Sequence, residues 1–418
     1  MAILSNPEQL RHEIEAALPD RPFAIEWWDG ARTDATSDSG LVFRVRSPKA
    51  LGHALRAPGQ LGIGRAYVSG ELEPNDMDLA VDLLQQWKPP AIDGETKRKL
   101  MLAAAKAHGL QPPPKPPKAE LRPKGKRHSR ERDERAVRHH YDLSNEFFEL
   151  FLGPGMTYSC AIFSRGAQTL EEAQFHKLEL VCRKLGLKAG ERVLDIGCGW
   201  GSFAVHAAKH HGAKVTGITV SPPQAERARR RAEEEGVADL VDIRIMDYRE
   251  LGGETFDAIS SIGMVEHVGS VRIDEYAHLL ASLLGPGGRL LNHGIGRIRH
   301  NDPEAGAFSE RYVFPDGAPL HLSRVQVALE RAGFITDTVE GFQYDYAETL
   351  KHWYENLDAD IERARVLAGD ERLRVWRLYL RTARQGFLSG FIGIWQVLAH
   401  TPPAPGERPV APAVHTID

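Results

Sequence analysis

The sequence predicts an α/β protein built on a Rossmann-like, doubly wound sheet, with a small α/β domain ahead of it. Three observations carry that expectation. The first is an apolar run, Arg192 to Ile196, that breaks into Gly197-Cys198-Gly199-Trp200-Gly201 and continues into a helical stretch, Ser202 to His210. A buried strand, a tight glycine turn and a helix N-terminus together bring backbone N–H groups close to a ligand. The second is the alternation that follows. Val215 to Ile218, Val241 to Ile245, Phe256 to Ser261 and Gly288 to His293 read as short buried strands, and Gln224 to Glu235 as a charged helix. The third is the placing of polar residues. Thr219, Asp247 with Tyr248, Glu266 with His267, and His293 stand where these strands end, and such sheets bind ligands at the carboxyl ends of their strands.

Composition bounds the rest. A chain of 418 residues can hold two or three domains with real cores. A net charge of −4 argues against a general nucleic-acid binder. Cys160, Cys182 and Cys198 show neither paired spacing nor a zinc pattern, so a reduced, cytoplasmic protein without metal is expected. No charged-then-apolar leader follows Met1, and no apolar run approaches the roughly 20 residues of a membrane span. Any membrane contact is expected to be peripheral, at the inner surface.

In chain order, residues 1–108 form the expected accessory domain. Pro7 to Leu18 has the spacing of an amphipathic helix, and Phe23 to Trp28 and Leu41 to Val45 alternate like strands. Ala50 to Leu55 reads as a short helix, and Leu61 to Tyr67 as a glycine-punctuated turn into another. The domain carries no catalytic spacing; it is a structural module or a lipid-docking one. Residues 109–138 are the expected linker. Gln111 to Lys118 is too proline-rich for a helix and should be extended. Lys124 to Arg138 is dense in basic residues. That run is either a solvated linker or is drawn to anionic headgroups, at about 1 kcal/mol per basic residue. Residues 139–400 hold the sheet, with His140 to Phe148 and Met156 to Ala161 ahead of it as a helical cap, and 401–418 form a proline-rich tail.

A phosphate-binding turn would want Gly-x-Gly-x-x-Gly; here the third glycine comes one residue early. Asp195, ahead of the turn, would repel a pyrophosphate and suits a ligand with cationic groups. The turn resembles motif I of the class I S-adenosylmethionine (SAM) methyltransferases. Taken with Tyr158-Ser159-Cys160, Gly217-Ile218-Thr219-Val220-Ser221-Pro222-Pro223-Gln224 and Val265-Glu266-His267-Val268-Gly269, it resembles the cyclopropane-fatty-acid synthase family. That family includes mycolic acid cyclopropane synthases and enzymes that make mid-chain methylene- or methyl-branched fatty acids. The similarity runs from about Arg135 to His400, including Trp376-Arg377-Leu378-Tyr379-Leu380. The N-terminal portion is similar to the accessory domain of the phospholipid-acting members.

The resemblance implies SAM as cofactor. Gly197, Gly199 and Gly201, with Asp195 ahead of them, would pass under its methionine portion. Thr219 and Gln224 would lie near the nucleoside, Asp247 and Tyr248 at the adenine edge, and Tyr141, Tyr158 and Ser159 would close over it from the cap. The implied reaction is methylation of a cis double bond in an unsaturated phospholipid acyl chain. An isolated alkene is a feeble nucleophile, so methyl transfer leaves a carbocation, which demands a dry pocket, aromatic faces and one base. The resemblance implies a bicarbonate ion as that base, cradled by Cys160, Glu266, His293, Ile295 (through its backbone) and Tyr346.

Taken singly, His293 at a strand end is a structural histidine and Glu266 a surface carboxylate; their occurrence in order with Cys160 and Tyr346 points to a site. Cys160 has a binding role only. Glu146 stands where the family generally carries a shorter acid. Its extra methylene would reach toward the substrate and favour a methylene-branched product over a cyclopropane; a carboxylate complementing a helix dipole is the alternative. A saturated methyl branch would need a separate reductase as partner, and a homodimer is a candidate assembly. Two other classes fit less of the sequence: a small-molecule C-methyltransferase, for which the basic linker is superfluous, and an inactive lipid-binding protein, for which the intact glycines are.

Overall fold

The structure is a computed structural model that describes residues 7–121, 132, 143–302, 306–315, 317 and 319–406. The chain divides into two compact units. One comprises Met1–Arg122 with two later returns, Ala307–Val313 and Ala368–Gln385; the other comprises Pro123–Gly306, Phe314–Leu367 and Gly386–Asp418.

The first unit begins with α1 (Glu8–Ala17), β1 (Ala24–Glu26), β2 (Arg32–Thr33), β3 (Val42–Val45), α2 (Lys49–Arg56) and α3 (Gln60–Val68). It continues with β4 (Leu72–Pro74), α4 (Met77–Gln86) and α5 (Gly94–His108). Its sheet runs β2-β1-β3-β4, and Leu10, Ile25, Trp27, Val45, Ala103 and Ala107 form its core.

The Leu61 to Tyr67 stretch is no turn but the body of α3. Its glycines are there for close packing. A Cβ on Gly62 would lie 2.8 Å from the Ala54 Cα, and one on Gly64 would enter the Phe308 ring. Arg65, on the same helix, is buried against Glu120 through two hydrogen bonds of 2.6 and 2.7 Å. The Gln111 to Lys118 stretch forms no helix, as its prolines require. It lies against its own unit, where the Arg56 guanidinium donates to the Pro114 carbonyl at 2.8 Å. Apart from Arg132, the basic run Lys124 to Arg138 lies outside the described residues.

The second unit starts with α6 (Asn145–Leu152), α7 (Leu170–Leu185), β5 (Arg192–Ile196), α8 (Ser202–His211), β6 (Lys214–Thr219), α9 (Pro222–Glu234) and β7 (Val241–Ile245). Then come β8 (Phe256–Ile262), α10 (Val265–Ser282) and β9 (Leu284–Arg297). After α11 (Ala307–Tyr312), which belongs to the first unit, follow β10 (Leu320–His321), α12 (Leu322–Arg331), β11 (Ile335–Gly341), α13 (Gln343–Ala359), α14 (Ile361–Leu388) and β12 (Ile392–His400). Helix α14 breaks at Gly369.

The sheet order is β11-β12-β9-β8-β5-β6-β7, with β10 beside β9. Strands β7, β6, β5, β8 and β9 are parallel; β12 and β11 add antiparallel. Because β5 pairs with both β6 and β8, the chain reverses its winding there, and the crevice opens at the carboxyl end of β5. Side chains alternate across the sheet. Val193 packs with α7, α8 and α9, and Leu194 with α10 and α12.

One boundary differs from expectation in a way that matters. The fifth strand was expected to stop at His293, but β9 continues to Arg297 because β12 pairs with it along its whole outer half. His293 and Ile295 therefore sit inside a strand rather than at a free end, His293 paired with both β8 and β12 and Ile295 with β12.

Candidate active site

The glycine turn sits where the crevice opens. Gly197, Gly199 and Gly201 all have positive φ, at 75, 54 and 79°, a region that L side chains rarely adopt. Two of them also have no room for a side chain. A Cβ on Gly197 would lie 2.7 Å from the Met264 sulfur, and one on Gly201 2.8 Å from the Ala228 Cβ. Gly199 has no protein atom within 4 Å of that position, and it borders a cavity of about 170 Å³.

That cavity gathers most of the predicted cofactor set. Tyr158, Ser159, Asp195, Gly197, Gly199, Thr219, Gln224, Asp247 and Tyr248 all line it. Gly201 stands just behind, as the N-cap of α8. Tyr141 lies outside the described residues. The Thr219 hydroxyl donates to the Gln224 amide oxygen at 2.8 Å, in a buried pair. Asp247 accepts from the Arg249 backbone at 2.9 Å and from its guanidinium at 2.7 and 2.6 Å. The Arg249 guanidinium lies over the Tyr248 ring, 5.3 Å from its centre. From the cap, Trp200 donates to Asn145 at 2.8 Å, and Tyr158 stacks on Trp353 at 5.2 Å.

Two charged groups are buried in the cavity wall, Asp195 and Lys177. Burial raises the Asp195 carboxyl and lowers the Lys177 ammonium, and each opposes the shift of the other by attraction. Sequence reasoning missed Lys177. Its signal was a lysine on the buried stripe of α7, in register with Ala173, Gln174, Leu178 and Val181. One carboxylate and one ammonium, both nearly dry, match the two ends of a methionine zwitterion. With the hydroxyl–amide pair and the glycine turn, the lining fits SAM.

The predicted base set lies behind that wall, and none of its five members lines the cavity. Its members fall into two sets. Cys160, His293 and Tyr346 meet around Phe342. The Cys160 thiol donates to the Phe342 carbonyl at 3.7 Å, the Tyr346 N–H donates to the same carbonyl at 3.0 Å, and the His293 ring stacks on the Phe342 ring at 6.3 Å. Glu266, in the first turn of α10, accepts the Ile295 N–H at 3.2 Å.

Gly294 makes that approach possible, because a Cβ there would enter Val265 and sit 3.2 Å from the Glu266 Oε2. Phe342 and Gly294 were not foreseen; only the Gly294-x-Gly296 pattern after His293 hinted at close packing. Burial pushes the Glu266 carboxyl up to about 7. It also pushes His293 well below its ordinary value, with Lys177 and Lys184 adding repulsion, so the ring is neutral. The thiol of Cys160 is pushed up by burial and is no nucleophile. The Glu266 Oε2 and both ring nitrogens of His293 are buried without a protein partner among the described residues. Such unmet groups are rare in a folded interior, and here they suit a small ligand that both donates and accepts, as bicarbonate does.

Glu146 is not part of either group. It is exposed in the first turn of α6 and does not line the cofactor cavity. Hydrogen bonds from its own backbone N–H and from Ser144 hold its carboxyl below the usual range, with Arg230 and Arg363 adding attraction. In this structure the helix-terminal role accounts for the carboxyl.

Residues 128–397 match the family described as mycolic acid cyclopropane synthetase. A probable fatty acid methyltransferase of Pseudomonas putida is 36% identical over 394 residues, 93% of this chain and 94% of its own. The cyclopropane-fatty-acyl-phospholipid synthase of Escherichia coli is 33% identical over 393 residues, 92% and 95% of the two chains. Among solved structures, a cyclopropane synthase of Mycobacterium tuberculosis superposes with a TM-score of 0.61 at 32% identity, over 64% of this chain and 98% of that one. A mycolic acid cyclopropane synthase complexed with SAH and CTAB superposes with the same score, identity and coverage.

Two expectations follow from this geometry. Gly199→Val would force a branched residue to φ 54° and push its side chain into the cavity. SAM affinity measured by calorimetry should fall by about two orders of magnitude or more, with the circular dichroism spectrum kept; undiminished binding would remove the turn from the site.

The second concerns Glu266, whose folded value of about 7 lies above the ordinary 4.5. The folded chain therefore holds a proton that the unfolded chain has released. The stability this contributes is whole below pH 4.5 and is lost as pH rises toward 7, by up to about 1.4 kcal/mol per pH unit. Glu266→Gln removes the titration. Urea denaturation of parent and variant should diverge across that window in favour of the variant, then run parallel. Curves parallel throughout would mean the carboxyl is hydrated.

Proposed function

The chain belongs to the mycolic acid cyclopropane synthetase family of SAM-dependent methyltransferases, and on that premise we propose that it methylates the cis double bond of an unsaturated acyl chain in a membrane phospholipid. The observation that carries this reading is the buried polar group behind the cofactor cavity. Enzymes that methylate nitrogen or oxygen act on a nucleophile with its own lone pair. An alkene has none, and needs a dry site that tolerates positive charge and then accepts a proton. Cys160, Glu266, His293, Ile295 and Tyr346 supply neutral or acidic groups only, and Phe342 and Trp353 add aromatic faces close by.

Bound at the glycine turn, SAM supplies an electrophilic methyl group. Asp195 and Lys177 would hold its two charged ends, Thr219 and Gln224 its nucleoside, and Tyr158 and Ser159 would exclude water from the cap side. Bicarbonate, if it is the base, would be held by Glu266 and His293 and supplies proton acceptance where no side chain risks alkylation. Glu266 holds a proton or shares one near neutrality, and His293 offers one N–H and one lone pair. The Ile295 N–H keeps the Glu266 carboxyl against β9. The cyclopropane and the methylene-branched product share the methyl transfer and part at the cation: loss of a proton from the added methyl closes the ring directly, whereas a hydride shift before that proton loss gives the exocyclic methylene, so both are within reach of this arrangement. A saturated branch would then require a separate reductase.

The accessory unit and the basic run favour a lipid over a soluble acceptor, with the protein peripheral at the inner membrane surface. No described helix is long and apolar enough to cross a membrane.

Glu266→Gln and His293→Ala should each lower turnover by about two orders of magnitude or more while changing SAM affinity only a few-fold, since the lost interaction belongs to proton transfer. Gas chromatography and mass spectrometry of lipids from an expressing host read the product and separate ring from branch. Stripping dissolved carbon dioxide should slow the parent and have no further effect on the Glu266 variant. Equal losses of turnover and SAM affinity would make the pair structural.

Binding to anionic vesicles should weaken steeply with salt. Neutralising Lys124, Lys126, Arg127 and Arg130 should weaken it further at low salt without touching SAM affinity. Equal sedimentation of variant and parent would return the run to a solvated linker.

A further inference from the structure

Among the described residues, one set of metal-ligating side chains gathers outside the cofactor cavity. Cys182 of α7 and His206 and His211 of α8 place one ligand atom each within 4.8 Å of the others. Glu179 borders this set without belonging to it. Glu179 stands three residues before Cys182 on α7, a spacing that puts both on one helix face. Its Oε2 accepts from the Nε2 of His206 at 3.2 Å and from the Nε2 of His211 at 3.0 Å. Its other oxygen is held by the Arg183 Nε at 2.7 Å.

We propose that Cys182, His206 and His211 form a binding site for a divalent metal ion of zinc type, between α7 and α8, with Glu179 orienting the two histidines from outside. The donor set decides the class of ion. A thiolate and two imidazoles exclude magnesium and calcium, which take oxygen, and suit zinc and its borderline neighbours; a water would complete four ligands. The geometry is near but not closed. Zinc bonds of about 2.0–2.3 Å put ligand atoms roughly 3.3–3.8 Å apart, so loading would draw the cluster in by about an ångström. His211, the last residue of α8, is only half-buried and gives the ion a way in, whereas Cys182 and His206 are buried.

Loading would form a sulfur–metal bond and release the Cys182 thiol proton to solvent. Around the cluster, His210 packs on His206 at 4.5 Å and Phe175 meets it edge-on at 5.0 Å, which fixes the ring. The four residues lie on two helices as Glu-x-x-Cys and His-x-x-x-x-His; the histidine spacing falls within that of zinc sites, but no second cysteine stands near Cys182 to complete a recognisable pattern. None of them lines the cofactor cavity. The site would instead staple two helices that border it, since Lys177 projects from α7 and α8 begins at the glycine turn.

The test uses the full, tag-free chain stripped with EDTA. Zinc is titrated against a chromophoric chelator, and cobalt(II) replaces it for absorption spectroscopy. We expect about one equivalent bound tightly, a thiolate-to-cobalt charge-transfer band, and a zinc-dependent rise in melting temperature. Cys182→Ser should abolish the band. His211→Gln, at a half-exposed position that leaves the core intact, should weaken zinc binding by about tenfold or more and remove the thermal shift. His278→Gln, an exposed histidine of α10 away from the cluster, should behave as the parent. If Cys182→Ser does not fold, the parent cobalt spectrum and His211→Gln decide. No stoichiometric binding, a cobalt spectrum without the band, or binding unchanged in His211→Gln would overturn the site and leave a hydrogen-bonded Glu–His cluster.

Discussion

The feature on which the second unit depends is the joint burial of Asp195 and Lys177 beside the glycine turn. Removing an ion from water costs several kcal/mol even after relaxation, and a partner of opposite sign offsets that only with good geometry. Neither group is supplied by the same element: Asp195 comes from β5, Lys177 from α7. The sheet and the preceding helix must therefore be fixed against each other before either charge is tolerable. Val181, Cys182 and Leu185 of α7 pack with Val193 of β5 and Phe203 of α8 and do that fixing. The residual tension, a carboxyl pushed up and an ammonium pushed down, is what a zwitterionic ligand would relieve.

Behind the cavity the electrostatics take a different form. The inner group holds a neutral histidine, a protonated thiol and a carboxyl close to neutrality. Lys184, which with Lys177 repels a proton on His293, is itself engaged by Glu340 at 2.6 Å and Gln396 at 2.7 Å. A site of this kind is hospitable to transient positive charge. Aromatic packing continues it outward, through Tyr346, Trp353, Tyr158 and Phe148 to Trp200 at the turn. Cofactor cavity and inner group thus share one wall of rings, which keeps water out of both.

Much of this was legible before the structure. The glycine turn, the parallel strands and the residues at their ends follow from local rules, because strand ends and turns are fixed by sequence neighbours. What stayed hidden depended on distant packing. The glycines of α3 looked like turn residues because Phe308 and Ala54, which they accommodate, are remote or out of view. His293 looked terminal because β12, which extends β9, arrives about a hundred residues later. Glu146 stood out because its difference was read without its exposure. Lys177 and Phe342 carried no motif at all. A lysine in an apolar stripe reads as a snorkelling surface residue until a buried carboxylate appears beside it.

Helix α7 draws these threads together. Its capping box, Thr169 with Glu172, fixes its start, and Gly186 in the left-handed region fixes its end. Between them it buries polar residues at three places that an ordinary core helix would fill with leucine, and half-buries a fourth. Gln174 donates to the Leu152 carbonyl at 3.0 Å, anchoring the helix α6 of the cap. Lys177 faces the cofactor cavity. Glu179 holds the two histidines of α8. Lys184 ties β11 to β12 through Glu340 and Gln396. Each costs desolvation that apolar packing would not. The helix is therefore less a source of stability than a ruler, setting cap, cofactor wall, α8 and the antiparallel edge in one register. A hydrophobic α7 would hold the fold together more cheaply, but it would leave Asp195 buried without a counter-charge and the cap without its anchor.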